Sequence, residues 1–207
     1  MTKRTVENVL KVSISNGNKK MGFIPSVSLP PVVTCHNCET CAKKCYAVKL
    51  CRIYKSVRDA YNRNHEILIK DRNAYFEQVK AVAMINRNFR WHVSGDIVDM
   101  DYLDRMCKIA RECKRTQFLA FTKNYNDVNE YFTNHRKPKN LQIIFSLPFN
   151  GQKVDNVHNF PTATVILKGN TPDPSHKVCG GNCQECACRG VGCWELKKGE
   201  TIAFFEH

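Results

Sequence analysis

Residues 35–45 have the sequence Cys35-His-Asn-Cys38-Glu-Thr-Cys41-Ala-Lys-Lys-Cys45, which places four cysteines within eleven positions. The spacing C-x2-C-x2-C-x3-C is the one that bacterial ferredoxins use to bind iron–sulfur clusters. Short loops between thiolates let one turn of backbone surround a cube of iron and sulfide, whereas a disulfide needs only two thiols at a suitable distance. The run therefore predicts a metal-binding loop, with a 4Fe-4S cluster bound by Cys35, Cys38, Cys41 and Cys45.

A second cysteine group lies near the other end of the chain, in Cys179-Gly-Gly-Asn-Cys183-Gln-Glu-Cys186-Ala-Cys188-Arg-Gly-Val-Gly-Cys193-Trp194. Its glycines permit positive-φ turns, through which a loop can fold around a cluster and donate backbone N–H groups to the sulfurs. Five thiols exceed the needs of one site, and only one residue separates Cys186 from Cys188. We predict that Cys188 is spare, and that a second 4Fe-4S cluster is bound by Cys179, Cys183, Cys186 and Cys193.

The twelve cysteines of this 207-residue chain do not indicate a secreted disulfide scaffold. A chain of this length can bury an ordinary core, so disulfides are not needed for stability. The first residues include basic side chains but no apolar run of signal-peptide length, and nowhere do about 18 apolar residues follow one another. We expect a cytoplasmic protein without a membrane partner, whose thiols are reduced or bound to metal.

The formal net charge is +13 and the pI is about 9.3. Such a charge favours anionic partners such as nucleic acid, phosphates or carboxylate-bearing nucleoside cofactors, and it argues against a small acidic electron-transfer ferredoxin. Basic residues are dense in segments 43–58 and 108–115, and a helical face carrying Lys49, Arg52 and Arg63 is the predicted nucleic-acid surface. The alternative is that the charge serves solubility alone.

Between the cysteine groups, strand and helix patterns alternate. A strand within 31–34 is predicted before the first cysteines, and a long helix over 47–70 after them, because apolar residues recur there at helical spacing. The other predicted elements are helices near 74–85, 103–113 and 127–136 and strands at 89–93, 117–121, 141–145 and 164–167. About five strands separated by helices imply a parallel sheet. We predict an α/β fold, an incomplete or open parallel (βα) barrel over residues 1–175, with a C-terminal cysteine-rich metal-binding extension, residues 176–207, packed on the same domain.

Polar residues follow the predicted strands, where the chemistry of parallel α/β folds gathers. Ser94, Gly95 and Asp96 come after one strand, and Thr122 and Lys123 after the next. We predict a cofactor site at Ser94, Gly95, Asp96 and Thr122, with Asp96 and Lys123 as catalytic candidates beside the first cluster. The alternatives are an ordinary turn with Asp99 capping the following helix, and a solvated Lys123.

The remaining cysteines fall on predicted helices. Cys107 and Cys113 occupy the apolar face of one helix, so we predict packed core thiols. Cys51 lies six residues beyond Cys45 and is predicted to be a core residue, with a role as a ligand only if Cys38 does not bind. The histidines show no paired zinc-ligand spacing.

Several stretches match one known family in combination: residues 24–35, Cys41-Ala-Lys-Lys-Cys45-Tyr-Ala, His92-Val-Ser-Gly-Asp96, Phe121-Thr-Lys123 and the loop that ends in Cys193-Trp194. Together they resemble the phage and plasmid family known as gene product eighty-eight, over nearly the whole chain. The resemblance implies an iron–sulfur-type protein without a defined reaction. The implied ligands are Cys35, Cys41 and Cys45 in the first loop and Cys179, Cys183, Cys186 and Cys193 in the last. Position 38 departs from the family pattern, which leaves three or four ligands for the first site, and the frequent terminal histidine makes His207 a candidate ligand or polar anchor.

A cluster that follows the first strand of a partial barrel also resembles the radical S-adenosylmethionine enzymes. That resemblance implies an open iron that binds the methionine part of S-adenosylmethionine, with the turn at residues 94–96 holding its amino group. The C-x3-C-x2-C spacing of those enzymes is absent from the first loop. It occurs at Cys179, Cys183 and Cys186, where no barrel follows and where Glu185 replaces the usual aromatic residue.

Three classes of function stay open from the sequence. The first is an iron–sulfur enzyme with radical or redox chemistry, which needs an electron donor protein. The second is a nucleic-acid-binding metalloprotein whose clusters or zinc only fold its loops. The third is a structural zinc protein, because four-cysteine zinc sites also use C-x2-C pairs.

Overall fold

Eight strands form one sheet in the computed structural model, which describes residues 10–39, 41–148 and 153–206. The strands are β1 (Ile14–Ser15), β2 (Ser26–Val27), β3 (Asn88–Trp91), β4 (Gln117–Thr122), β5 (Leu141–Ser146), β6 (Thr162–Ile166), β7 (Lys177–Val178) and β8 (Thr201–Phe205). Their spatial order is β1-β2-β3-β4-β5-β6-β8-β7. Every neighbouring pair is parallel except β1 and β2. The predicted α/β fold with a mostly parallel sheet is therefore confirmed, whereas its curvature into a partial barrel stays a prediction.

Six α-helices connect or flank the strands. They are α1 (Tyr46–Ile53), α2 (Lys55–Lys70), α3 (Arg72–Met84), α4 (Met100–Glu112), α5 (Tyr125–Asn134) and α6 (Cys183–Arg189). Side chains that cap exposed N–H groups fix several of the helix starts. Asp71 accepts a hydrogen bond from Ala74 N at the start of α3, and Asp99 accepts one from Tyr102 N at the start of α4. The predicted capping role of Asp99 is thus confirmed.

The two faces of the sheet carry different apolar layers, because successive strand residues point to opposite sides. On the first face, Phe89, Trp91 and Phe118 pack against buried residues of α2–α5 and form the larger core. On the second face, Leu119 and Ile144 pack with Trp194 and other residues of the C-terminal segment. The cysteine-rich segment therefore covers the face of the sheet that the helices leave open.

Two element predictions are wrong. The stretch 31–34 is a turn, not a strand, and β2 lies five residues earlier. Pro30 and Pro31 lack the N–H groups that a strand ladder needs, and Thr34 folds back so that its N and Oγ1 both donate to Pro30 O. The single helix over 47–70 is two helices, because Tyr54 has extended backbone angles and separates α1 from α2.

The residues after 175 contribute β7 and β8 to the sheet. β8 lies between β6 and β7, and its five residues pair with β6 from Thr162↔Thr201 to Ile166↔Phe205. The sheet thus has three more strands than the five predicted.

Among the described residues, no helix has both the length and the apolar character needed to cross a bilayer.

Asn64 on α2 holds the first strand and the exit of the second together. It is fully buried, its Oδ1 accepts from Ser13 N at 2.6 Å, and its Nδ2 donates to Ser13 O at 2.8 Å and to Ser28 O at 2.9 Å. Ser28 precedes the turn that leads into the first cysteine loop. One amide side chain therefore links α2 to both ends of this N-terminal hairpin.

We predict that Asn64→Ala destabilises the protein by at least about 2 kcal/mol, because each buried polar group left without a partner costs about 1–3 kcal/mol. Equilibrium urea unfolding measures the change. Asn62→Ala is the matched control, because Asn62 is exposed on the same helix and surface substitutions usually change stability by less than about 0.5 kcal/mol. Equal unfolding free energies for the two variants would contradict the role of Asn64.

Candidate metal centres

The first cysteine loop is folded into consecutive tight turns. Cys35 N donates to Val32 O at 3.3 Å, and Cys41 N and Ala42 N both donate to Cys38 O, at 3.0 and 2.8 Å. A short 3-10 helix then leads to Cys45, which is the N-terminal cap residue of α1. These turns bring the four predicted ligands of the first site into one region.

The four thiols of this loop are close enough to influence one another electrostatically. Burial raises the pKa of Cys35 to about 12, and the nearby Cys38 and Cys45 add to the increase. Burial also raises the pKa of Cys41. Lys123 opposes this increase, and Cys38 and Cys45 add to it. A metal that binds Cys35 and Cys41 must therefore displace their protons.

The turn after β3 packs directly against the start of this loop. Leu29 N donates to Ser94 O, and Ser94 Oγ donates to Leu29 O, both at 2.9 Å. Gly95 has φ +83°, and a Cβ placed there would lie 2.7 Å from both Leu29 Cβ and Thr34 Oγ1. Glycine is required at this position for its backbone angles and for the close approach. Ser94 and Gly95 thus hold the cysteine loop against the strand ends.

Asp96 is a buried carboxylate that connects two strand ends. Its Oδ1 accepts from Ile97 N at 2.7 Å, its Oδ2 accepts from Lys123 N at 2.8 Å, and Thr122 provides a further side-chain hydrogen bond. Burial raises the pKa of Asp96, and these hydrogen bonds oppose the increase. The arrangement gives Asp96 and Thr122 a clear positioning role beside the loop.

Lys123 is partly buried and fully engaged, so it is not a solvated loop residue. Its Nζ donates to Ser146 O at 2.9 Å, to Ser146 Oγ at 2.8 Å and to Leu147 O at 3.4 Å. Burial lowers the pKa of this ammonium, while the nearby Cys41 and Asp96 act in the opposite direction. A cation is thereby fixed next to the first cysteine loop.

The C-terminal cysteines line one cavity. The cavity has a volume of about 290 Å³, and Cys179, Cys183, Cys186 and Cys193 are among its lining residues. Cys188 is exposed and lies outside the lining, as expected for a spare thiol. The cavity is much larger than the volume that one molecule occupies in liquid water, about 30 Å³.

Backbone hydrogen bonds attach this cavity to the sheet. Cys179 N donates to Ala203 O of β8, and Cys183 N donates to Lys20 O, each at 2.9 Å. Gly192 has φ +64°, and a Cβ there would lie 3.2 Å from Cys186 Sγ. Burial raises the pKa of Cys193 to about 12, and the other three thiols of the cavity add to the increase.

Single-ion geometry is absent from both groups. Within residues 10–39, 41–148 and 153–206, no three His, Cys, Asp or Glu side chains are arranged to hold one metal ion. The four C-terminal thiols line a cavity instead.

The other cysteines have the following positions. Cys107 and Cys113 are buried with 0% and 4% of their surface exposed, which confirms the prediction of packed thiols. Cys51 on α1 is partly exposed, and Cys45 is near enough to add to the pKa increase that burial causes. His207 lies outside the described residues.

Three residues near the cysteine groups were missed by sequence analysis. Tyr46 donates its hydroxyl to Val93 O, and Tyr125 donates its hydroxyl to Ser146 O. Arg90 lies on the second face of the sheet beside Cys183. Only Arg90 has a recognisable sequence signal, because a charged residue between two buried aromatic residues is unusual in a strand of a parallel sheet.

The fold and the two cysteine groups define a cysteine-rich α/β protein with thiols gathered at two places on one sheet. The chain belongs to the Gene product 88 family, whose model matches residues 3–189. A similar protein is the "Gene 88 protein" of Mycobacterium phage D29, which is 27% identical over 157 residues. The match covers 69% of this chain and 64% of the phage protein, so the chain spans less than two thirds of that relative. No solved structure matches, and the resemblance to radical S-adenosylmethionine enzymes stays a prediction.

We predict that Gly95→Ala lowers the thermal midpoint more than Gly169→Ala does. Both glycines have a positive φ, +83° at Gly95 and +89° at Gly169, so both substitutions carry the same kind of backbone cost, of order 1–3 kcal/mol. Only the alanine at position 95 also collides with its neighbours, because nothing lies within 4 Å of a Cβ at position 169. Differential scanning calorimetry of the two variants isolates the effect of the contact with Thr34. Equal midpoints would show that the cysteine loop does not require this close approach.

Proposed function

We propose that this protein carries two 4Fe-4S clusters, one bound by Cys35, Cys38, Cys41 and Cys45 and one bound by Cys179, Cys183, Cys186 and Cys193. The observation that carries the proposal is the cavity of about 290 Å³ lined by the four predicted C-terminal ligands, with the predicted spare Cys188 outside it. The first group supports it independently, because four neighbouring thiols lie beside a buried carboxylate and a buried ammonium.

The donor sets suit iron and sulfide. Thiolate sulfur is a soft ligand, and four thiolates are the usual ligands of four-iron clusters. A single zinc ion needs sulfurs about 2.3 Å from one point, and the described side chains lack such an arrangement. In a cluster each thiolate binds a different iron, so the sulfurs stand further apart. The cavity between the C-terminal thiols therefore favours a cluster over zinc at that site.

The first centre is the better candidate for redox or radical chemistry, which a cluster supplies when bound. Asp96 and Lys123 lie at the same strand ends as that loop. Lys123 can donate a further hydrogen bond or a proton from Nζ only by releasing one of its contacts with Ser146 or Leu147, because these three contacts already use the ammonium group. Asp96 holds the backbone of Lys123 in place. An electron donor protein is the expected partner of such a centre.

We expect about eight iron atoms per chain after anaerobic reconstitution, because each four-iron cluster contributes four. Cys41→Ala and Cys193→Ala should each lose about half of the iron and sulfide, since each removes a ligand from a different centre. Cys188→Ala is the matched control and should keep all of it. Stoichiometric zinc without sulfide in the wild-type chain would overturn the proposal.

The fourth ligand of the first centre is tested by Cys38→Ala. A three-ligand cluster keeps its iron in this variant, and S-adenosylmethionine added to the reduced wild-type protein should then alter the electron paramagnetic resonance signal. Equal iron loss in Cys38→Ala and Cys41→Ala, with no spectral response, would indicate a closed centre with four thiolates and would exclude the radical enzyme.

A second candidate function is nucleic-acid binding, and one surface favours it. Lys49, Arg52 and Arg58 are exposed on α1 and α2, and no carboxylate pairs with them among the described residues. Tyr54, between these helices, has 53% of its surface exposed. Basic groups around an exposed aromatic ring suit the backbone and the bases of a single strand. Arg63, predicted to share this face, donates to Ser13 Oγ instead.

We predict that Lys49→Gln with Arg52→Gln weakens binding to a single-stranded oligonucleotide and flattens its salt dependence. The slope of log K against log salt should fall by about 1.4, because each phosphate contact contributes about 0.7 for single strands. Fluorescence anisotropy between 50 and 200 mM salt measures it. Lys114→Gln with Arg115→Gln, both exposed elsewhere, is the control. A wild-type chain that binds neither DNA nor RNA at low salt would leave the charge as a solubility feature.

A further inference from the structure

Arg90 places a positive charge on the second face of the sheet. Its neighbours in β3, Phe89 and Trp91, are buried in the core of the first face, so the Arg90 side chain points the other way. There its Cζ lies 4.9 Å from the centre of the Phe121 ring. Phe121 in turn packs with the apolar residues that surround the C-terminal cysteines.

This charge has no carboxylate partner in the part of the chain that the structure describes, since none of its ion pairs includes Arg90. Its Nε is buried and makes no hydrogen bond there. Arg90 as a whole is partly exposed, but the buried part of a guanidinium is costly unless an opposite charge or hydrogen bonds compensate it. The contact with Phe121 compensates only in part, because the attraction of an aromatic ring is weaker than that of an anion.

The groups that face the guanidinium are thiols. Arg90 donates a side-chain hydrogen bond to the Cys183 sulfur, and the Cys193 thiol lies within electrostatic range of the guanidinium. Both cysteines line the cavity on this face. Tyr46, which reaches toward the same region from the first cysteine loop, is also within range of this charge. An anionic group in the cavity would therefore supply the full negative charge that a neutral thiol and an aromatic ring do not.

We infer that Arg90 is the internal counter-charge of the metal group bound by Cys179, Cys183, Cys186 and Cys193, and that it raises the reduction potential of that group. The inference rests on the proposed function. Thiolate ligands give an iron–sulfur cluster a negative charge, and one-electron reduction adds another. A nearby guanidinium stabilises the more negative, reduced form. Arg90 is thus a positioning and charge-setting residue, not a ligand.

The test uses the full chain carrying Cys41→Ala, so that only the C-terminal centre holds iron. Dithionite supplies one electron to each oxidised centre in a mediated titration that is followed by electron paramagnetic resonance. Arg90→Met should lower the potential, so that the ratio of reduced to oxidised centres at a fixed potential falls about tenfold, which is about 59 mV for one electron. Arg90→Lys should keep most of the wild-type value. Arg87→Met is the control, because Arg87 is exposed just before β3.

Equal potentials for loaded Arg90→Met and Arg87→Met would overturn the inference and leave the proposed function intact. A wild-type chain that takes up no iron would instead overturn the proposed function. If Arg90→Met does not fold by circular dichroism, Phe121→Leu replaces it, because it removes the ring that holds the guanidinium in place. An unchanged potential in loaded Phe121→Leu would then count against the counter-charge.

Discussion

The buried carboxylate of Asp96 is the constraint on which the arrangement of the first centre depends. It accepts hydrogen bonds from the backbone of Ile97 and of Lys123, which follow β3 and β4. Hydrogen bonds to a charged group are worth about 1.5–3 kcal/mol each. Asp96 thus fixes the segment that follows β3 next to the segment that follows β4. In this position the Gly95 turn can support the cysteine loop, and Lys123 can reach Ser146. A displaced Asp96 would disturb each of these contacts at once.

The two faces of the sheet differ, because the larger apolar core covers one face and the C-terminal cysteines lie on the other. Packed aromatic residues and helices α2–α5 fill the first face. The second face carries Arg90 and the C-terminal cavity. Tyr46, with 44% of its surface exposed, donates its hydroxyl to Val93 O at the edge of this face. Reactive groups can thus gather on one face without weakening the core on the other.

Local patterns predicted most of the elements and the grouping of the thiols, because cysteine spacing and helical periodicity are properties of short segments. The break at Tyr54 was not predictable, since the apolar pattern continues through it and only the tertiary fold gives this residue an extended backbone. Strands β1, β2 and β7 have two residues each, which is too short for any periodicity. The position of Arg90 beside Cys183 depends on a pairing of segments more than 90 residues apart, which one sequence does not contain.

The insertion of β8 between β6 and β7 sets an order of events during synthesis. Strands β2–β5, which surround the first cysteine loop, are synthesised before the C-terminal cysteines, and only the ion pair between Lys44 and Glu206 among the described ion pairs joins this loop to the end of the chain. β7 has its only described strand neighbour in β8, so the second face is uncovered until residues 201–205 have emerged. At 5–20 residues per second, synthesis of the chain from Ser146 to Phe205 takes about 3–12 seconds. The strands around the first cysteine loop are therefore synthesised before the segment that completes the second face of the sheet.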